Sequence, residues 1–234
     1  MNDIAEAARV SPAAKPPIVR PRDAASLILL RGSGSDLELL AGRRPLHMKF
    51  MPGVYVFPGG AIDRNDGRRW RVEQGGERLP PRLLRCARAA LRETWEETGV
   101  LVGRPADNPG SADPAMIPIE AAYAGQGLVA AIDALAYVGR AITPTPVFRR
   151  FNTRFFLADG EHVFGELQSN GEFEDLRWHP VGRQSLSPFR DVTQFMLARA
   201  IALRDGTASP DAPLFCSVRG TRQVRVCREA IVDL

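Results

Sequence analysis

Cysteine, lysine and long apolar runs are scarce in this chain of 234 residues. The three cysteines, Cys86, Cys216 and Cys227, include no close pair and no Cys-x-x-Cys motif, which argues against a disulfide framework and predicts reduced thiols in a cytoplasmic protein. No apolar stretch approaches the roughly twenty residues of a membrane-spanning helix, so no membrane partner is expected. Lys15 and Lys49 are the only lysines, and arginine therefore carries almost all of the positive charge.

The motifs of several enzyme classes are also missing. There is no Gly-x-Ser-x-Gly, His-Glu-x-x-His or Gly-x-x-x-x-Gly-Lys segment, which argues against a serine hydrolase, a zinc protease and a P-loop protein. The three histidines, His47, His162 and His179, are isolated; His47 is the one placed to reach a substrate, although a structural or surface role is favoured. The net charge of +4 suits an anionic substrate, but it is spread along the chain, so no nucleic-acid partner is predicted.

The composition is that of a folded domain, with 44% hydrophobic residues. We expect one domain over residues 23–234, with insertions at about 64–79 and 103–138. Residues 1–22 contain four prolines and no apolar segment of a signal peptide, and they are expected to form a loose N-terminal tail. The sequence is compatible with a homodimer but does not determine the oligomeric state.

A short acidic helix is the most informative feature of the chain. Its last part reads Arg92-Glu93-Thr94-Trp95-Glu96-Glu97-Thr98-Gly99-Val100. Proline at 80 and 81 suits a helix start, and Gly99 suits a left-handed C-terminal cap. Helical spacing places Leu84, Ala87, Leu91, Trp95 and Thr98 on one stripe, which is expected to face the core, with the three glutamates opposite.

These glutamates predict a divalent metal site. Like charges three or four residues apart disfavour a helix by roughly 0.2–0.5 kcal/mol per pair. Acids in the last turn oppose the helix dipole by roughly 0.3–1 kcal/mol each. A cation removes both penalties, and carboxylate oxygens favour Mg²⁺ or Mn²⁺ over zinc. The alternative is a solvated charged face.

A glycine pair precedes this helix in the segment Met51-Pro52-Gly53-Val54-Tyr55-Val56-Phe57-Pro58-Gly59-Gly60-Ala61-Ile62-Asp63. Residues 54–57 predict a short buried strand that Pro58 ends. Gly59 and Gly60 let the backbone adopt unusual conformations or approach a ligand closely. Alone, such a pair usually marks a turn.

Together, Phe57-Pro58-Gly59-Gly60 and Arg-Glu-x-x-Glu-Glu-x-Gly-Val resemble the signature of the Nudix hydrolases, which cleave nucleoside diphosphates linked to another group. The resemblance implies an α+β fold, an α/β/α sandwich around a mixed β-sheet, here with a helical insertion. It implies that Arg92 orients a neighbouring acid and that the helix glutamates bind metal and activate water. The carbonyl of Gly60 is then expected to face the metal.

Three departures accompany this resemblance, one of which is Thr94 in place of the customary aliphatic residue. The family's glutamate eight residues before the arginine falls at Leu84, and roughly twenty extra residues separate Gly60 from the helix. The segment Gly59-Gly60-Ala61-Ile62-Asp63-Arg64-Asn65-Asp66 resembles the form found in coenzyme A diphosphatases and the peroxisomal-type Nudix proteins. Residues 39–44, followed by Lys49 and Gly53, partly resemble the coenzyme A motif of that subgroup.

The subgroup implies cleavage of coenzyme A or acyl-coenzyme A to 3′,5′-ADP and a phosphopantetheine product. Its implied substrate contacts are Arg43, Arg44, Lys49, Gly59 and Arg154. Glu172 and Glu174 are the candidates for one further acid, each against the alternative of an ordinary surface residue. Other open substrates are ADP-ribose, NADH and dinucleoside polyphosphates. A non-catalytic nucleotide-sensing module is the alternative from another functional class.

The rest of the chain carries weaker secondary-structure signals. We expect a hairpin of residues 24–30 and 37–42, strands at 151–158 and 173–178, and a terminal hairpin of 213–218 with 222–227. Helices are expected at 119–138 and 184–204, and an irregular loop at 64–79.

Overall fold

The computed structural model describes residues 19–107, 113–145, 147, 149–182, 189–218 and 220–227. It has an α+β fold built on a mixed β-sheet, as predicted. The strands are β1 (Arg22–Arg31), β2 (Glu38–Arg43), β3 (Tyr55–Val56), β4 (Gly59–Ala61), β5 (Glu73–Gln74), β6 (Leu101–Pro105), β7 (Leu128–Ala131), β8 (Ala136–Ile142), β9 (Phe151–Asp159), β10 (Val163–Phe164), β11 (Arg177–Pro180), β12 (Pro213–Val218) and β13 (Thr221–Val226). The helices are α1 (Pro81–Thr98), α2 (Pro118–Gly125) and α3 (Asp191–Arg204).

The large sheet has the strand order β11-β2-β1-β9-β8-β12-β13, with β3 added to β2 and β4 added to β1. Central strand β1 is parallel to β9 and antiparallel to β2 and β4. Side chains along β1 alternate between two cores: Leu27 and Leu29 belong to the α1 core, and Ile28 and Leu30 to the α3 core. The two cores on opposite faces of the large sheet define a sandwich.

Helix α1 lies between the large sheet and a small sheet with the strand order β10-β6-β7-β5. Its bounds agree with the prediction, because Pro81 occupies the first turn and Gly99 caps the end with φ of 76°. Small residues on this helix, Ala87, Ala89 and Ala90, are fully buried and allow close approach of both sheets. This packing fixes the direction in which the helix presents its acids.

The predicted helix over residues 119–138 was wrong in its second half. Helix α2 ends at Gly125, and residues 128–131 form β7 in the small sheet. Gly127 adopts a left-handed φ of 64°, which ends the helix. The short apolar run that follows fits a buried strand as well as a helix, so its periodicity alone did not separate the two.

The inserted segment 64–79 is more ordered than the predicted loop. Trp70 is buried in the α1 core, and β5 pairs in parallel with β7. Glu73 and Arg88 of α1 form a buried bidentate ion pair, with Nε–Oε2 of 2.7 Å and Nη2–Oε1 of 2.5 Å. The insertion is therefore part of the folded core.

Both predicted hairpins are confirmed, one formed by β1 and β2 and one by β12 and β13. The strand predicted at 173–178 was misplaced, since β11 begins at Arg177 while Phe173 packs on β2 instead. Helix α3 begins at Asp191, and the earlier part of its prediction falls partly on residues 183–188, outside the described residues. The predicted tail is outside them up to residue 18. None of the described helices has the length and apolar character needed to cross a membrane.

Candidate active site

The glycine pair lies against the C-terminal half of α1. Gly59 and Gly60 belong to β4 and pair with Ser26 and Ala25 of β1. Gly59 has φ of 152°, and a Cβ there would lie 2.4 Å from the carbonyl oxygen of Ala25. Glycine is therefore required for β4 to reach this position beside the acidic helix.

Glu97 differs from the expectation that the helix acids face solvent. The residue is only 3% exposed, and its Oε2 accepts a hydrogen bond of 2.8 Å from the Gly59 N–H. Burial raises the pKa of Glu97 well above its ordinary value; the bond from Gly59 lowers it in part, and a hydrogen bond with Glu172 raises it further. A buried carboxyl next to a second carboxyl requires a shared proton or a cation.

Glu172 is the acid that the structure brings to this helix. Its exposed carboxyl group lies near enough to the buried carboxyl of Glu97 to raise the pKa of Glu97, and its charge also raises the pKa of Glu93. Glu174, the other candidate, instead forms a partly exposed ion pair with Arg43, with Nη2–Oε2 of 3.1 Å. The two candidates are thereby distinguished by their partners.

Glu93 lies directly over the second glycine. A Cβ on Gly60 would fall 2.4 Å from the Cδ of Glu93, so its carboxylate occupies the space that a side chain would fill. Burial raises the pKa of Glu93, and the nearby charge of Arg92 acts in the opposite direction. Glu96 lies on the exposed side of the helix.

Arg92 connects these acids to one another. Its Nη1 donates to Glu93 at 2.9 Å and to Glu96 at 2.8 Å. Its Nε and Nη2 donate to both carboxylate oxygens of Asp66, at 3.0 and 3.1 Å. Burial alone would lower the pKa of Arg92, but its bonds with Asp66 and the charges of Glu93 and Glu96 raise it above its ordinary value. A planar guanidinium held in this way fixes the direction of the helix acids.

Asp66 is the functional residue that sequence reasoning left without a role. It is fully buried in the inserted segment, and its Oδ2 also accepts from the Asp63 N–H at 2.7 Å. Leu84 stands at the position where the sequence resemblance led us to expect a glutamate, and Asp66 supplies the carboxylate for Arg92 from another part of the chain. The sequence did contain a signal for this role, because Asp66 is the last acid of the segment from Gly59 to Asp66.

The predicted substrate contacts are divided between surface and core. Arg44 is half-buried and its Nε donates to the Phe50 carbonyl at 3.1 Å, while Lys49 is exposed. Arg154 is fully buried, and its Nη1 donates to Asp23 at 2.7 Å. The structure thus gathers Arg92, Glu93, Glu96, Glu97, Gly59 and Gly60 at one place, whereas the buried side chain of Arg154 pairs with the exposed carboxylate of Asp23.

The donor set fits a hard divalent cation in its chemistry. Carboxylate oxygens are the preferred ligands of Mg²⁺ and Mn²⁺, and a cation would relieve the like charges that Glu93 and the exposed Glu172 place beside the buried Glu97. Within the described ranges, however, no three His, Cys, Asp or Glu side chains stand in an arrangement that could hold a metal. In this arrangement Arg92 donates to Glu93 and Glu96, and the Gly59 N–H donates to Glu97.

Comparison with known proteins points to one family. No protein-family model matches the chain. The chain is 31% identical over 147 residues to a Caenorhabditis elegans protein named "Putative nudix hydrolase 7", a match that covers 58% of this chain and 43% of the relative. It is 29% identical to the crystal structure of a NUDIX hydrolase from Alicyclobacillus acidocaldarius, with a TM-score of 0.58, covering 82% of this chain and 99% of the other.

The fold is that of a Nudix hydrolase. The predicted signature residues meet in space, with the glycine pair against the C-terminal half of α1. Both named proteins to which the chain is similar carry the Nudix name. The chain spans less than half the length of the curated relative.

Proposed function

We propose that the protein is a Mg²⁺- or Mn²⁺-dependent hydrolase that cleaves the diphosphate linkage of a nucleoside diphosphate derivative. One observation carries this proposal: the buried carboxyl of Glu97 beside Gly59, with Glu93 and the exposed carboxyl of Glu172 close to it. An apolar or simply salt-bridged core has no need of such a group of acids. A site that neutralises acids with a cation does.

The roles of the residues follow from their places. Glu93, Glu96 and Glu97, with the carbonyl of Gly60, would hold the cation, and Arg92 would keep the carboxylates directed to it. When bound, the cation neutralises diphosphate charge and lowers the pKa of water. A glutamate takes one proton from the attacking water, whose oxygen bonds to one phosphorus. The bridging P–O bond breaks, and the other half leaves as a phosphate monoester.

Coenzyme A or acyl-coenzyme A is the substrate that we propose first. The support is the resemblance of residues 39–44 and of the Gly-Gly-x-x-Asp-x-x-Asp segment to the coenzyme A subgroup. Exposed Lys49 and partly exposed Arg43 lie on or beside β2 and are accessible to a phosphate group. ADP-ribose, NADH and dinucleoside polyphosphates remain the alternatives, since the carboxylate cluster recognises only the diphosphate.

A substrate panel tests both levels of the proposal. The protein is incubated with Mg²⁺ and coenzyme A, acyl-coenzyme A, ADP-ribose, NADH or diadenosine polyphosphates, and products are separated by chromatography. Release of 3′,5′-ADP from the coenzyme A compounds alone supports the finer proposal, and turnover of another member supports only the coarser one. Glu97→Gln should abolish turnover of any substrate, because it removes a carboxylate from the centre. If the wild-type protein binds but cleaves no member, the nucleotide-sensing alternative is favoured.

A further inference from the structure

We propose that Gly42, Arg43 and Tyr55 form a platform that positions Glu172 beside Glu97. Gly42 and Arg43 belong to the segment that resembles a coenzyme A motif, so this segment acts on the site through Glu172 in addition to any contact with the substrate. This inference rests on the proposed function, because Glu172 matters only if the carboxyl cluster is catalytic. The acid loop is defined here as residues 168–175. It crosses from the end of α1 to β2, and Glu172 lies within it.

The first attachment of the acid loop is to the helix. The N–H of Gln168 donates to the carbonyl of Thr98 at 2.8 Å, at the end of α1. Gly99 directly follows α1, and a Cβ on this residue would lie 3.0 Å from the carbonyl oxygen of Glu166, just before the acid loop. One end of the loop is thus tied to the same helix that carries Glu97.

The second attachment is to β2. The N–H of Glu174 donates to the carbonyl of Arg43 at 2.9 Å, and the two side chains form the ion pair described above. Phe173, only 4% exposed, packs its ring on Gly42 so closely that a Cβ there would lie 2.3 Å from the ring Cγ. A ring cannot bend away as a flexible side chain can, so any residue larger than glycine at 42 would displace the loop.

The third attachment comes from β3. The hydroxyl of Tyr55 donates to Oδ2 of Asp175 at 2.7 Å, and Tyr55 pairs with Arg43 in the sheet. Asp175 is three residues beyond Glu172. Internal bonds stiffen the segment between the attachments, since the Asn170 side chain accepts from the Glu172 N–H at 2.9 Å. Glu172 therefore lies in a loop that is attached at one end to α1 and at the other to the platform.

This arrangement separates two roles for the platform that kinetics can distinguish. If the platform acts through Glu172, loosening it lowers kcat and raises the Mg²⁺ concentration needed for half-maximal rate, with little change in KM. A small displacement of a catalytic group is sufficient for a large loss of rate. If Tyr55 or Gly42 instead contacts substrate, KM rises and the effect persists without Glu172.

A double-mutant cycle tests this with Tyr55→Phe and Glu172→Gln. Tyr55→Phe removes one hydroxyl and should lower kcat about fivefold or more in the wild-type background. In the Glu172→Gln background it should lower kcat no further, because the group that it positions is already lost. Gly42→Ala, which displaces Phe173, should behave in the same way. Tyr123→Phe is the matched control, since it removes a buried hydroxyl that donates to the Val102 carbonyl in the small sheet.

Amide hydrogen exchange of the metal-free protein gives a readout that does not depend on activity. Tyr55→Phe should speed exchange at the Glu174 N–H, and Tyr123→Phe should leave it unchanged. Equal losses of kcat in both backgrounds, or unchanged exchange at Glu174, would overturn the platform. If the wild-type protein cleaves nothing while exchange at Glu174 responds as expected, the hydrolase function fails and the attachment of the loop stands.

Discussion

Gly60 lies beneath the carboxylate of Glu93, and a Cβ on Gly60 would fall 2.4 Å from its Cδ. The same two residues are the predicted carbonyl and carboxylate ligands of the cation. Gly60→Ala should therefore displace Glu93 and lower kcat by about tenfold to a hundredfold while the fold persists. Steady-state kinetics and circular dichroism check this, with Gly34→Ala as a control for glycine removal, because nothing lies within 4 Å of a Cβ there although its φ is 55°. Wild-type rates in Gly60→Ala would contradict the assignment.

Glu172 and Glu174 provide a matched pair of substitutions two residues apart. Glu172→Gln should lower kcat by about a hundredfold or more, as expected for a general base or ligand. Glu174→Gln removes a surface ion pair with Arg43, worth roughly 0–1 kcal/mol, but keeps the backbone bond that attaches the loop, so it should lower kcat far less than Glu172→Gln. Rates at saturating Mg²⁺ distinguish the two. The reverse order of effects would transfer the catalytic role to Glu174.

Asp66 is expected to act through Arg92. Asp66→Asn keeps the size of the side chain but removes the charge that holds the guanidinium at 3.0 and 3.1 Å. The loss of a charge-assisted, buried contact should cost about 1.5–3 kcal/mol of stability and lower kcat. Urea denaturation and kinetics give the two quantities. Asp63→Asn, at an exposed position in the same segment, is the control; equal losses in both variants would show that the segment as a whole is sensitive.

Glu97 predicts a pH dependence of stability in the metal-free protein. Burial raises its folded-state pKa above the ordinary 4.5, so the contribution of Glu97 is fully present below that value. It is lost as the pH rises through the folded-state pKa, because the buried carboxyl must then ionise. The free energy of unfolding of wild type relative to Glu97→Gln should therefore fall as the pH rises above 4.5 in EDTA. Urea titrations at several pH values measure this difference; a difference that stays constant or rises would be inconsistent with the burial described.

The Glu73–Arg88 ion pair should stabilise the inserted segment strongly. Both side chains are nearly buried, at 7% and 6% exposure, so Glu73→Ala leaves a buried guanidinium without its bidentate partner. Removal of one member of such a pair costs about 3–5 kcal/mol. Exposed Glu77 lies in the same segment, and Glu77→Ala should change stability by roughly 0.5 kcal/mol or less. Thermal or urea unfolding of both variants checks the contrast.

Local signals determined which parts of the fold could be predicted. Pro81, Gly99 and the apolar spacing between them specify α1 within a residue at each end. The hairpin of β1 and β2 follows from two apolar runs around a short turn. The short run at 128–131 had no such bounds, and only its pairing with β5 and β6 decides that it is a strand.

The sequence predicted which types of residue form the candidate site, but it did not predict the contacts between them. The burial of Glu97 depends on Gly59, which is 38 residues away, and helical spacing cannot reveal a partner from another element. The choice between Glu172 and Glu174 depends on how Phe173 packs on Gly42. Arg154 resembled a phosphate contact, but its pairing with Asp23 across β1 and β9 is a property of the assembled sheet.

The folded insertion between Gly60 and α1 has an evolutionary consequence. Trp70 and Glu73 anchor this segment in the folded core. The glycine pair and helix α1 are therefore held together by contacts in space and do not depend on a fixed number of residues between them. Related chains should then tolerate deletions or extensions between these anchors and the helix, provided that an acid equivalent to Asp66 still reaches the arginine. Selection is expected to preserve those contacts and to constrain the length of the segment only weakly.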